Sequence, residues 1–295
     1  MSFLDSISNL LRDAPPRHIF QLSEAGIAYS RPAGKTSEMG FMPFEPGTLV
    51  VSPVQDNIRR ADMVAAQIAR IAPAPDARRR RPAALILPDY AARVSVLDFD
   101  SLSPKPEEQL ALIRFRLKKT LPFDVDSAAV SYFVQPATEA HRREVVAVSI
   151  AHEVVARYEA LFRAAAFHPG EITTAGLAAL NLYKGDGDLS KNDSAVIAKI
   201  EGRVLTVMAL VGGALKLFRC VVLEDGTEDD VLSVLQPTFA YMEDELDAPG
   251  SRLVLCGFAP GALAGWKPVE TLSGHLGAPG PFNAGLLGYL EGARS

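Results

Sequence analysis

Residues 87–135 read LPDYAARVSVLDFDSLSPKPEEQLALIRFRLKKTLPFDVDSAAVSYFVQ, and the order of elements in this stretch decides the fold. It begins where an apolar run at 83–87 is closed by Pro88. Residues 93–99 then alternate Val94, Val96 and Asp98 against Ser95, Leu97 and Phe99, the period of a strand. A helix is predicted next. Ser103 serves as its cap, Pro104 and Pro106 suit its first turn, and Glu107 and Glu108 complement its positive end. Leu110, Ile113, Leu117 and Leu121 form its apolar stripe, with Lys118 and Lys119 at the far end.

After Leu121-Pro122-Phe123, strands are predicted at 128–135 and 144–150. A helix follows at 153–166, striped by Val154, Val155, Tyr158, Leu161, Phe162 and Ala165. Strand, helix, two strands and helix make a small α+β insert. Upstream, 18–31 suggests a hairpin around Gly26, 48–52 a further strand, and 55–72 a helix carrying Ile58, Ala61, Ala65 and Ile68. Downstream the theme repeats. Strands are predicted at 195–200, 205–211 and 214–223, the last two joined by Gly212-Gly213, then a helix at 228–246 and a strand at 252–256. A meander, a helix and a short strand in each half point to two related lobes.

A chain of 295 residues with 48% hydrophobic and 22% charged residues has room for two cores and the composition of a folded protein. A net charge of −5 leaves no broad positive face for phosphate backbones, so nucleic-acid binding is not expected. Cys220 and Cys256 belong to no metal-ligand or C-x-x-C pattern and read as buried thiols. The longest apolar run, 204–215, is broken by two glycines and is too short to span a bilayer, and residues 1–14 lack the features of an export signal. The expected place is the cytoplasm. Phe3, Leu4, Ile7, Leu10 and Leu11 give residues 1–16 the pattern of a short amphipathic helix, and the arginines at 78–81 read as a solvated loop.

Catalytic signals do not hold together. Gly34-Lys35-Thr36 ends like a phosphate-binding loop, but Tyr29 stands at the first glycine and the residues after Thr36 read as a flexible loop, not a helix. Ser190 and Lys191 near Asp193, and Ser149 near His152, lack the local arrangement of a nucleophile. The histidines at 18, 141, 152, 168 and 275 show no metal-ligand spacing.

The stretch at 87–135 resembles the PilM family, cytoplasmic actin-like components of type IV pilus assembly platforms. The resemblance rests on the strand ending in Leu87-Pro88, the helix opened by acidic residues and closed by Pro122-Phe123, and the aromatic strand with Tyr132 and Phe133. It continues less specifically through 144–166, the hairpin near Arg219, and 255–264 and 284–288. The cytoplasmic region of GspL, from type II secretion, shares the plan. The resemblance implies an α/β, actin-like (ribonuclease H-like) two-lobed fold with a small α+β insert at about 90–150. The first lobe would span 17–173 and the second 174–295.

The family's nucleotide pocket uses two Asp-x-Gly hairpins and a glycine pair near the adenosine. Carried over residue by residue, the first hairpin here offers Gln21, Ser23 and Glu24, the second Lys199, Glu201 and Gly202, and the third element Gly257 followed by Phe258. Neither hairpin keeps an aspartate in place, so the expectation is a degenerate pocket with no cofactor, no metal and no ATPase activity. Lys199 leaves binding of ATP without a metal open. The partner implied is the cytoplasmic tail of a PilN-like membrane protein, captured at Leu117, Leu121, Phe123, Tyr132 and Phe133. On pattern alone those five residues read as core more readily than as interface. The chain would then be a non-enzymatic scaffold at the inner face of the cytoplasmic membrane, joined to the membrane through its partners and other platform proteins. The alternative is an ATP-switched or ATP-hydrolysing actin-like protein of a pilus or type II secretion system.

Overall fold

The computed structural model describes residues 16–34, 36–73, 80–136, 142–183 and 193–294. The amphipathic segment at 1–15, Lys35, Arg78, Arg79, His141, Ser190 and Lys191 lie outside the described residues. Three sheets organise the described residues. The first has the order β3-β2-β1-β4-β8, built from β1 His18–Ser23, β2 Gly26–Ala33, β3 Thr36–Pro43, β4 Arg81–Leu87 and β8 Phe167–Thr174. The second has β11-β10-β9-β12-β13, from β9 Ser194–Glu201, β10 Val204–Val211, β11 Ala214–Val222, β12 Arg252–Cys256 and β13 Val269–Thr271. In both, three strands form an antiparallel meander and the other two run parallel to its first strand, so one plan is used twice.

Period-two alternation gives each sheet two faces. Phe20, Leu22, Leu85 and Leu87 point to a core shared with α1 (Ala61–Ile71) and α3 (His152–Ala164), whereas Ile19, Ala84 and Ile86 point the other way. In the second sheet Val196, Ala198, Val207 and Leu253 pack toward α5 (Glu228–Asp244), and Ala195, Ile197, Met208 and Val254 face inward. Between these inward faces lie α4 (Ala175–Ala179) and the last helix, α6 (Ala284–Gly292). Ala175 and Leu286 touch the first sheet's side and Ala179 and Leu287 the second's. The sequence division after residue 173 assigns both helices to the second lobe, yet they contact both.

The insert is the third sheet, β5-β7-β6, from β5 Arg93–Phe99, β6 Ala129–Val134 and β7 Arg143–Ile150, with α2 (Pro106–Leu117) across one face. Its other face, through Val94, Val96 and Val146, joins the core of the second lobe. Gln135 fastens the junction: its amide donates to the Leu215 carbonyl and accepts from the Leu215 N–H, both at 2.8 Å.

Several expectations need correction. Residues 48–52 form no strand, only the bridge Leu49 to Ile58, and Thr36–Pro43, expected as a loop, is strand β3. Helix α1 begins at Ala61, six residues after the expected start at 55. Ser103 is not the helix cap. That position is Lys105, while the Ser103 hydroxyl bonds Glu108. Arg81 is not part of a loop but opens β4, its guanidinium over the Phe167 ring at 4.0 Å and donating to the Ala72 carbonyl. Strand β8, which carries Pro169 and Gly170, was not foreseen. It is an edge strand, where Pro is tolerated, and its register shifts by one at Gly170.

The approach of α6 to α4 depends on missing side chains. A Cβ on Gly288 would meet the Ala178 carbonyl oxygen at 2.1 Å, and one on Gly285 the Ala175 Cα at 2.8 Å. Gly288→Ala is therefore expected to destabilise the protein by about 1–3 kcal/mol through overpacking, despite alanine's better helix propensity. Urea unfolding of the two proteins checks the sign.

Candidate functional site

Strand β1 is buried throughout from Ile19, and β9 is apolar on both faces except near its end. Each carries polar residues in its inward row: Gln21 on β1, and Lys199 and Glu201 on β9. All three are buried. The first residue after Pro88, Asp89, starts a 3-10 turn at the carboxyl end of β4 and is buried with them. The period of two and the parallel placement of β1 beside β4 bring these groups to one point between the lobes.

The geometry there is a closed polar network. Lys199 Nζ lies 3.0 Å from Asp89 Oδ2 and 3.3 Å from Glu201 Oε2. Asp89 also accepts from the Thr206 hydroxyl at 2.9 Å and the Gly176 N–H at 2.6 Å. The Gln21 amide donates to Glu201 at 3.0 Å, and its carbonyl accepts the Leu286 N–H at 2.8 Å, which fixes its orientation. Seven residues from both lobes and both central helices are thus tied together. Along the second sheet the register places Cys220, Thr206, Lys199 and Cys256 side by side on adjacent strands.

Burial opposes the Lys199 charge, but Asp89 and Glu201 outweigh it and hold the pKa above the usual lysine value. Burial likewise raises the Glu201 carboxyl, against the pull of Lys199. Burial pushes the Cys256 and Cys220 thiols up to about 12, which favours the protonated form near neutral pH. Cys220 is only half-buried, less than the sequence suggested.

A cleft of about 390 Å³ opens above this network. Its lining includes Ser23, Glu24, Lys199, Glu201 and Gly202 among the sequence-predicted residues, with Asp89 and the apolar Phe44, Val51 and Phe282. Gln21 lies behind the lining, bonded to Glu201. Ser23 closes its own turn onto Gly26, and the Glu24 carboxylate accepts the Val51 N–H at 2.8 Å. Gly257 does not line the cleft. Its positive φ and a Cβ that would meet the Ile200 carbonyl at 2.5 Å mark it as a packing glycine. Phe258 packs against the second-lobe core.

Sequence reading missed Asp89, Thr206 and Gly176. The signal for Asp89 was present, an acid directly beyond an apolar strand's carboxyl end, where open α/β sheets place ligand groups. Three carboxylates (Glu24, Asp89, Glu201) and one ammonium face the cleft, and that ammonium is already committed to two of them. This balance does not fit a magnesium triphosphate.

Of the five sequence-predicted partner residues, Leu117 is fully buried, and Leu121 and Tyr132 pack in the same small core beneath α2. The Tyr132 hydroxyl bonds Gln109 at 2.9 Å. Those three are core, as alternation with α2 above the sheet requires. Phe123 is half-buried, and Phe133, on the opposite face of β6, is 49% exposed. The structure adds Phe115, 72% exposed on α2, and Val134, 41% exposed at the end of β6.

No family model matches the chain, and no curated protein sequence matches it. Solved structures do. A PilM-PilN type IV pilus biogenesis complex gives a TM-score of 0.73 at 12% identity, covering 96% of this chain and 100% of the other. A Bacteroides thetaiotaomicron protein with an actin-like ATPase fold gives 0.58 at 11%, over 100% and 99%. The cytoplasmic domain of EpsL, an inner-membrane component of the Vibrio cholerae type II secretion system, gives 0.53 at 10%, over 94% of each. The chain has the actin-like α/β fold, and the resemblance to PilM read from residues 87–135 is matched at the level of fold. Among the described residues no helix is long and apolar enough to cross a membrane.

The network separates the roles of its two acids. Asp89→Ala leaves a buried ammonium short of its main partner and is expected to cost about 3–5 kcal/mol. Glu201→Gln keeps an acceptor for Gln21 and Lys199 while removing a charge that burial disfavours, so it should change stability by less than about 1 kcal/mol. Because the folded carboxyl is raised above its ordinary 4.5, its contribution is full below that pH and lost as pH rises through the folded value. Urea titrations should therefore favour Glu201→Gln over wild type more at pH 7 than at pH 4.

Proposed function

We propose that this protein is a cytoplasmic scaffold of a type IV pilus assembly platform, whose cleft neither binds nor hydrolyses ATP. The observation that carries this reading is the Lys199 ammonium, buried between Asp89 and Glu201 at the cleft floor. Phosphoryl transfer needs a metal and a group that places the attacking water, and the one ammonium lining this cleft is already paired with two of its three carboxylates, which supports the reading. A fluorescent ATP analogue titrated with and without Mg²⁺ is expected to show no saturable binding. Ordered metal–triphosphate between the lobes in a co-crystal would sink the reading.

The likeness to a PilM-PilN complex supports a PilN-like membrane protein as partner, reaching this chain through a short cytoplasmic tail. Its docking place is assigned to the edge of the insert. Among the described residues strand β6 pairs on one side only, with β7, and an outer edge of this kind can extend the sheet onto a peptide. Phe133 and Val134 supply apolar contacts at that edge. Such docking would place the scaffold at the inner face of the cytoplasmic membrane through its partners, including other platform proteins.

Phe133→Asp should weaken binding of a labelled PilN-like tail peptide by about tenfold or more, consistent with loss of an aromatic anchor. Melting should stay within a degree or two of wild type, because a half-exposed side chain contributes little to the core. Fluorescence anisotropy reads the binding. Unchanged affinity would remove β6 as the docking edge.

A further inference from the structure

Two sequence motifs that the cleft does not use meet at the opposite end of the first sheet. Strand β1 runs parallel to β4, with His18 beside Ala83, so the amino ends of both strands lie together. The arginine run ends there in Arg80 and Arg81, and the amphipathic pattern of residues 1–16 leads into the same place at Pro16 and Arg17. Arg70 joins them from the last turn of α1, whose end Arg81 holds through the Ala72 carbonyl at 3.0 Å. Arg17, Arg70 and Arg80 are all exposed. Two carboxylates at this end are already matched, Glu38 with Arg31 at 2.8 Å and Glu159 with Arg163 at 2.9 Å. Among the described residues Arg17, Arg70 and Arg80 have no carboxylate partner. Their field reaches His18, whose pKa is held down to about 4 by burial and then by Arg81 and Arg17.

We propose that this end of the first lobe rests directly on an anionic lipid surface. Arg17, Arg70 and Arg80 meet the lipid phosphates, and Phe3, Leu4, Ile7, Leu10 and Leu11 enter the interface beside them. Lipid fits both halves of the pattern, exposed cations without partners next to an apolar segment. An acidic peptide would satisfy the arginines alone. In a chain of net charge −5 such a local excess of cations also orients the molecule, because surface fields act within about 10 Å. The contact goes beyond a scaffold held at the membrane through its partners. It leaves the cleft on the far side from the lipid, past the carboxyl ends of β1 and β4.

The test is co-sedimentation of the full chain with vesicles of phosphatidylcholine alone and of phosphatidylcholine with about 30% phosphatidylglycerol, which carry an anionic surface potential. Wild type is expected to pellet with the anionic vesicles only, and less as salt is raised. Arg17→Gln, Arg70→Gln and Arg80→Gln together should weaken the binding by about 100-fold, the combined effect of three cations near the surface. Melting should stay as in wild type, because none of the three holds a described carboxylate. Ile7→Asp with Leu10→Asp should weaken the binding by about tenfold or more through lost apolar burial. Lys118→Gln with Lys119→Gln removes two exposed cations on the insert and should leave it unchanged. A full chain that ignores anionic vesicles, or an arginine variant that pellets as wild type does, overturns the proposal. Loss of tail-peptide binding by the arginine variant with vesicle binding intact gives the face to a protein partner and overturns it as well. Wild-type vesicle binding is independent of the tail peptide, so failure of this contact and failure of the β6 docking edge are read separately.

Discussion

A buried ammonium must be paired, and the fold is arranged around that requirement. Desolvating a charge in a protein interior costs several kcal/mol, recovered only when close partners are themselves well hydrogen-bonded. Lys199 meets the condition with Asp89 and Glu201, and each of those is satisfied in turn by Thr206, Gly176 and Gln21. The partners come from β1, the turn after β4, α4, β9 and β10, and the chain's last helix is reached through Leu286. Elements far apart in sequence therefore share one electrostatic condition, and the relative placement of the two lobes is part of it.

The same constraint shapes what surrounds it. Glycines at 285 and 288 let α6 approach α4 closely enough for the Leu286 N–H to reach Gln21. The insert is fastened to the second lobe by Gln135 and by Val94, Val96 and Val146, which leaves its far strand, β6, as an open edge. Among the described residues no strand pairs with the outer side of β6.

Much of the fold was legible in residues 87–135 and in the repeated meander, because apolar periodicity is a local property. The β1–β2 and β10–β11 hairpins, the insert and β12 follow from it. The misses have local causes as well. Thr36–Pro43 carries a glycine and a terminal proline, and β8 carries Pro169-Gly170; edge strands tolerate such residues, but pattern cannot tell an edge strand from a loop. Leu117 and Tyr132 were offered as docking residues because a stripe shows which residues share a face, not what covers it.

By itself the sequence determined the two-lobed plan, the insert, and the presence of Gln21, Lys199 and Glu201 where acidic and glycine hairpins were expected. Only the tertiary structure decided what those residues do. Whether Lys199 reaches a solvent cleft or a buried carboxylate depends on Asp89, 110 positions away, and on the pairing of strands that sequence spacing does not encode. Charge compensation acts over a few ångströms in space, and the distances that set it exist only once the two sheets have been brought face to face.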